Sequence, residues 1–326
     1  MAWVRGPKVD YSDWAELVGD DWWKWDNILE RMKKLESFRP KIGQQNYATA
    51  TPGAHGTGGP FAVGYGTEWQ PLIKHCMLAG EEAGHEINKD NNDGDLEGIS
   101  IAQFNVDKGC RVTSATAYLE QDSRPDNLLI ATDALISRLV IEKKRVTGVE
   151  ILLTTANGSD QTRKLFARRE VILAAGCFQS PQLLLLSGVG PKKDLEALNI
   201  PIVMDLPVGQ NLQDHSALAC EFIIDPSIPG HNQLLNDSEA LKAAENQYQR
   251  SKTWPLAMFG ASAAIIFPKI PKLHSTPEFA SLAPATRDFL EAKGRPSTEI
   301  WMHSGPLFYT GPRPPDASVL VIEGLC

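Results

Sequence analysis

The sequence contains no long apolar run, no C-x-x-C pair, no G-x-G-x-x-G and no block of like charges. Each absence removes a class of function. A membrane-spanning helix needs about 20 consecutive apolar residues, and runs such as Leu183–Leu186 and Ala263–Phe267 fall far short of that. The opening residues, Met1 to Lys8, lack the apolar stretch of a signal peptide. Five scattered cysteines (Cys76, Cys110, Cys177, Cys220, Cys326) give neither zinc spacing nor a disulfide framework, so they read as buried or incidental thiols. His55, His75, His85, His231 and His274 show no ligand spacing either, and no metal site is expected. The formal charge of −8 comes without a basic stripe, which excludes a phosphate backbone as partner. Without G-x-G-x-x-G, a self-contained dinucleotide-binding turn is not supported.

What is present suits a globular α/β protein. The 326 residues are enough for two domains, with 42% hydrophobic and 22% charged residues. Asp10 and Asp26 are placed to cap two short helices, the second carrying Ile28, Leu29, Met32 and Leu35 at helical spacing. Pro71 opens a helix that Gly84 stops. From Asn127 the pattern turns β-rich, with strands expected at Leu128–Ala131, Leu135–Ile141, Val146–Leu153 and Lys164–Ala174, and a turn at Gly158. Ser180-Pro181 reads as an N-cap followed by proline at the first helical position, ahead of a helix burying Leu183 and Leu186. Val171 and Leu173 are expected to be buried beside it. Further helices are expected near Lys192–Leu198, Glu239–Lys252 and Ala285–Lys293. The last segment, Ser318–Glu323, reads as a strand left without its partner, so the chain is expected to be cut there.

Four stretches resemble one family. Gly176-Cys177-Phe178-Gln179-Ser180-Pro181-Gln182-Leu183-Leu184-Leu185-Leu186-Ser187-Gly188-Val189-Gly190-Pro191 looks like the second signature of the glucose–methanol–choline (GMC) oxidoreductases, with Cys177 where a small residue is usual. Val208 to His215 (V-G-Q-N-L-Q-D-H) resembles the family's G-x-N-L-x-D-H segment, and Arg111 to Leu119 its R-x-S-x-A-x-A-Y-L stretch. Trp3-Val4-Arg5-Gly6, with Asp10-Tyr11 and Trp14, looks like the tail of the first signature. The details look most like fungal members.

The resemblance implies an α/β (overall α+β) flavoprotein: an incomplete FAD-binding region over residues 1–216 and part of a largely antiparallel-sheet substrate domain over 217–326. It implies FAD as cofactor, a small-molecule alcohol as substrate and hydride transfer to flavin. A hydroxynitrile lyase on the same scaffold and a non-catalytic remnant are the alternatives. By motif position Ile136 meets the adenine ring through its backbone, Met1 and Ala2 end the loop along the flavin, and Ala175 and Gly176 close a strand near the cofactor. His215 belongs to a structural segment, and His303 falls on the substrate-side sheet. The family's glycine loop and catalytic histidine match nothing here. They are expected before Met1 and beyond Cys326, so this chain alone is expected to hold FAD weakly and to be inactive.

Overall fold

The computed structural model describes all residues except 1, 41–45, 67–68, 121–124, 155–159, 254, 259–262, 305–317 and 326. Helices α1 (Lys8–Val18) and α2 (Trp25–Leu35) form where two helices are expected, but Pro7 and Lys24 hold their N-cap positions. Asp10 and Asp26 lie instead in the first turns, where a negative charge still meets the positive end of the helix. The Asp10 carboxylate accepts from Arg295 Nε at 2.9 Å. Strands β1 (Glu36–Arg39) and β2 (Phe61–Gly64) pair in parallel. Helix α3 (Pro71–Glu82) begins with proline at a position that needs no N–H, and Gly84 follows its end at φ 91°. Strand β3 (Gly98–Ile101) and the hairpin β4 (Val106–Asp107) and β5 (Cys110–Arg111) come next, before a π-helical turn over Ala115–Leu119.

An antiparallel meander follows: β6 (Leu135–Glu142), β7 (Arg145–Thr154) and β8 (Asp160–Phe166). Its first turn is Lys143-Lys144, both at positive φ, as the twist of a two-residue hairpin requires. The turn expected at Gly158 lies outside the described residues. Two strand expectations are overturned. Leu128–Ala131 forms no strand, and the strand expected through Ala174 stops at Phe166. Among the described residues no strand runs beside Val171–Ala174 to pair with it, and Ile172 is 81% exposed.

Helix α4 (Gly176–Leu186) starts four residues ahead of Ser180, so Ser180 is not its cap. Ser180 Oγ instead accepts the N–H of Ala175 at 3.0 Å, and Pro181 lies inside the helix. Of the four residues expected in this core only Leu183 is buried, while Leu186 is half exposed. Strand β9 (Val189–Gly190), α5 (Lys192–Ala197) and β10 (Met204–Asp205) complete this stretch. The chain ends through β11 (Ala217–Ile224), α6 (His231–Asn236), α7 (Ser238–Ser251), β12 (Ala264–Phe267), α8 (Pro277–Ala280), α9 (Pro284–Glu291), β13 (Glu299–Ser304) and β14 (Ser318–Leu325).

These elements fall into two compact units, residues 1–124 with 215–326, and residues 125–214. The first is built on an antiparallel sheet in the order β11-β14-β13-β12-β3. Strand β14, expected to leave an open edge, is paired on both sides, to β11 and β13. Alternation gives the sheet two faces. Ile300, Met302, Leu320 and Ile322 pack into a core with Ile73 and Met77 of α3. Both α3 side chains are fully buried, each contributing about 1.5–3 kcal/mol by leaving water. Glu299, Trp301 and His303 occupy the opposite face.

A buried network of charges ties the rest of this unit together. Arg5 Nη2 donates to Glu36 Oε2 at 2.6 Å, with the two side chains 2% and 0% exposed. Arg5 Nη1 donates to the carbonyls of Ala54 and Asn92 at 2.7 and 2.8 Å. Glu36 Oε1 lies 3.0 Å from His55 Nδ1, and His55 Nε2 lies 3.0 Å from Asp90 Oδ2. Asp90 also accepts from Thr51 N–H, Asn92 N–H and the Gln103 side-chain amide. A carboxylate only accepts, so a ring held between two of them satisfies both by donating from both nitrogens, as an imidazolium. Two cations and two anions then balance among side chains that are almost fully buried.

Removing one partner of such a pair strands the other charge. Arg5→Met should therefore cost about 3–5 kcal/mol in urea unfolding followed by tryptophan fluorescence. Arg5→Met with Glu36→Gln should cost less than Arg5→Met alone. A single-variant loss below about 1 kcal/mol, the range of a solvent-exposed pair, would contradict the buried-network reading.

Candidate functional site

Two places gather the residues singled out in the sequence, one in each unit. In the second unit, β6 is an edge strand, so its outer row of peptide groups has no strand partner. Leu139 N–H on that strand is met by Ser187 Oγ at 2.8 Å, which fastens the end of α4 to it. Between β6, the unpaired segment Val171–Ala175 and α4 lies an open concavity of about 490 Å³. Ile136 and Ala175 both line it, along with Leu139, Val149, Leu173 and Leu183. Gly176, next in the chain, turns at φ 91°, and a Cβ there would meet nothing within 4 Å. Glycine is needed at that point for its backbone angle, and the space beside it stays open. A volume of this size, mostly apolar with an unpaired strand edge on its rim, suits a flat heteroaromatic ring.

Ala2 is in the first unit, and Met1 lies outside the described residues. Ala2 forms an antiparallel bridge with Phe104, and Trp3 N–H donates to Gln103 O at 2.8 Å. Phe104 in turn meets Trp301 edge-on, with ring centroids 6.3 Å apart. The N-terminal segment thus reaches the sheet face that carries Glu299, Trp301 and His303. On this face Trp301 Nε1 donates to Glu299 Oε1, and Trp301 stands opposite Glu323 of β14. Burial raises Glu299 above the usual carboxyl range; the Trp301 bond and His215 pull the other way, and Glu323 adds to the rise. Burial lowers His303, so its imidazole is neutral at neutral pH and able to accept a proton. The charge of His215 acts on Glu299. Glu299 and Trp301 were not foreseen, although the alternation of Glu299 to Ser304 is the signal that places them with His303.

Two other histidines are held in fixed states. Burial pushes His231 down to about 4. Its N–H donates to Ser304 Oγ at 2.9 Å, pinning the start of α6 to the end of β13. For His55, burial disfavours the charged ring, but the hydrogen bonds of Asp90 and Glu36 outweigh it and raise the ring above its ordinary value. For Asp90, burial acts to raise the carboxyl, and the His55 bond overrides it, leaving the group below its ordinary range. Among the described residues no group of three or more His, Cys, Asp or Glu is placed to hold a metal, and no helix is long and apolar enough to cross a membrane.

Comparison with known proteins places the chain in a family. The model of the family described as GMC oxidoreductase matches residues 1–217. An oxygen-dependent choline dehydrogenase of Pseudomonas putida is 37% identical over 238 residues, 72% of this chain and 40% of that protein. A patulin synthase of Aspergillus clavatus is 34% identical over 260 residues, 77% of this chain and 40% of that protein. The chain therefore spans about 40% of the length of these curated relatives. Among solved structures, an FAD-dependent oxidoreductase from Chaetomium thermophilum aligns over 99% of this chain and 59% of its own, with TM-score 0.80 and 26% identity. A formate oxidase of Aspergillus oryzae RIB40 aligns over 99% and 56%, with TM-score 0.83 at 24% identity, a likeness of fold.

The three histidines should separate in an NMR titration of histidine-labelled protein. His231 should titrate at about 4, His303 below the ordinary imidazole value and His55 above it. The consequences for stability differ in sign. The contribution of His55 is complete below its unfolded pKa and lost as pH rises through its folded pKa. That of His231 is present above its unfolded value of 6.5 and lost as pH falls through about 4. An ordinary midpoint for His231, or one for His55 below that of His303, would contradict the burial and pairing described.

Proposed function

Because the chain belongs to the GMC oxidoreductase family, we propose that it supplies cofactor- and substrate-binding parts of an FAD-dependent oxidoreductase acting on the CH–OH group of a small alcohol. The observation that carries this reading is the concavity holding Ile136 and Ala175 together. An edge strand offers an N–H donor and a C=O acceptor side by side, the pattern that the N1 and N6 edge of adenine requires. In this reading Ile136 holds the adenine through its backbone, and the apolar walls keep water from the ring. Ala175 and Gly176 keep the adjoining backbone close and free of side chains. Residues 1–216 supply the FAD-binding region and 217–326 the substrate side.

Bound flavin supplies the hydride acceptor. The chain's own residues orient the alcohol and exclude water on the sheet face of Glu299, Trp301 and His303. The oxidation also needs a base for the hydroxyl proton, worth about a hundred- to ten-thousand-fold in rate. The seven histidines here do not match the family's motif for that base. Accordingly the chain alone should bind the adenine end weakly and turn over no alcohol.

Saturation-transfer NMR with ADP tests the binding half, since it reads weak complexes. The adenine protons should receive saturation from the parent protein and from Ile136→Val, which keeps the backbone. Ala175→Trp, which fills the concavity from an exposed position, should abolish the effect. An undiminished signal in Ala175→Trp would contradict the site. For the second half, an alcohol panel with added FAD, scored by peroxide and dye reduction, should show no turnover. Turnover that disappears in His303→Ala would show that this chain carries its own base.

A further inference from the structure

We propose that a second cavity, between the β1–β2 pair and the β4–β5 hairpin, binds a small oxyanion: a phosphate or carboxylate group. The cavity measures about 630 Å³ and lies within the first unit. Arg39, at the end of β1, and Arg111, in β5, reach it from separate elements. Asp107, the one carboxylate among the described lining residues, stands 3.8 Å from Arg39 Nε, beyond hydrogen-bonding distance. The Arg111 guanidinium has no hydrogen bond or ion pair among the described residues. Two guanidinium groups therefore meet one carboxylate, and a net positive charge remains at the wall.

The floor of the cavity is fixed. Gly59 N–H donates to Glu36 O at 2.8 Å, and a Cβ on Gly59 would fall 2.1 Å from the carbonyl carbon of Leu35. No side chain fits there to fill the cavity, and the adjoining Gly58 faces open space. The hydroxyls of Ser37 and Thr116 donate elsewhere, to the carbonyls of Thr57 and Thr113. Among the described lining side chains the guanidinium N–H groups are thus the strong donors left for a ligand, and their planar fork matches the paired oxygens of a phosphate or carboxylate. This site is independent of the concavity in the second unit and does not rest on the flavin reading.

Isothermal titration of the full chain with inorganic phosphate, and separately with malonate, tests the proposal at ionic strength held constant with chloride. Saturable heat with either ligand is expected, and the arm that binds more tightly identifies the source of the oxyanion. Arg39→Gln and Arg111→Gln should each weaken it about tenfold or more, the usual loss for a hydrogen bond to a charged group. Asp107→Asn, which frees Arg39, should tighten it. Arg163→Gln, in β8 of the other unit, should leave it unchanged. Arg111 is exposed, so its variant should melt like the parent. If that variant is destabilised, the tightening in Asp107→Asn decides. Absence of saturable heat with both ligands, or binding undiminished in Arg111→Gln, would overturn the proposal.

Discussion

The pair of Arg5 and Glu36, extended through His55 to Asp90, is the constraint on which the first unit depends. Its members come from the segment before α1, from β1, from the loop before β2 and from the loop before β3. Each segment alone is too short to hold its conformation, and the stretches around Ala54 and Asn92 form neither helix nor strand. Backbone groups in such stretches must find partners when buried. The network supplies them: Arg5 takes the carbonyls of Ala54 and Asn92, Glu36 the N–H of Gly56, and Asp90 the N–H groups of Thr51 and Asn92. The burial of charge is costly, but here the same atoms that neutralise each other also satisfy the loops. The network therefore specifies one arrangement of loops that apolar packing alone leaves open.

That arrangement has a consequence for the sheet face that bears Trp301. Asn92 Nδ2 donates to Trp3 O at 2.7 Å, so the residues that carry the charges also fix the segment bearing Ala2. Through Gln103 and Phe104 this segment lies against the sheet, beside Trp301. On the sheet, one face is committed to α3 and the other keeps Glu299, Trp301 and His303 in a half-buried polar setting. The antiparallel order that sets β14 between β11 and β13 puts Glu323 opposite Trp301. Proton-bearing groups are thus concentrated where the family reading expects substrate. In the second unit the walls are apolar instead, which suits the adenine end of a cofactor.

Much of this was legible in the sequence wherever local rules govern. Pro71 and Gly84 bracket α3 because proline needs no N–H at a helix start and glycine accepts a positive φ beyond its end. The charged stretch Glu142 to Arg145 reads as a turn and is one. Ile136 and Ala175, singled out from motifs far apart in sequence, line one concavity. Local rules misled where tertiary partners decide. Ser180 has the form of a cap, yet its hydroxyl bonds Ala175 from inside α4. The apolar run Val171–Ala174 has the composition of a buried strand, but composition does not provide a neighbour. The Arg5 network left no trace in periodicity, because its residues lie between 31 and 87 positions from Arg5. His55 was read only for metal spacing, and the two carboxylates that hold it come from distant loops.

In the proposed reading the adenine end of a flavin nucleotide occupies the concavity between β6, Val171–Ala175 and α4. Photolabelling with 2-azido-ADP, followed by peptide mass spectrometry, tests it most directly. Label should appear in peptides covering Leu135–Glu142 or residues 171–186, and excess FAD should suppress it. Label confined to peptides of the first unit, or insensitive to FAD, would contradict the account.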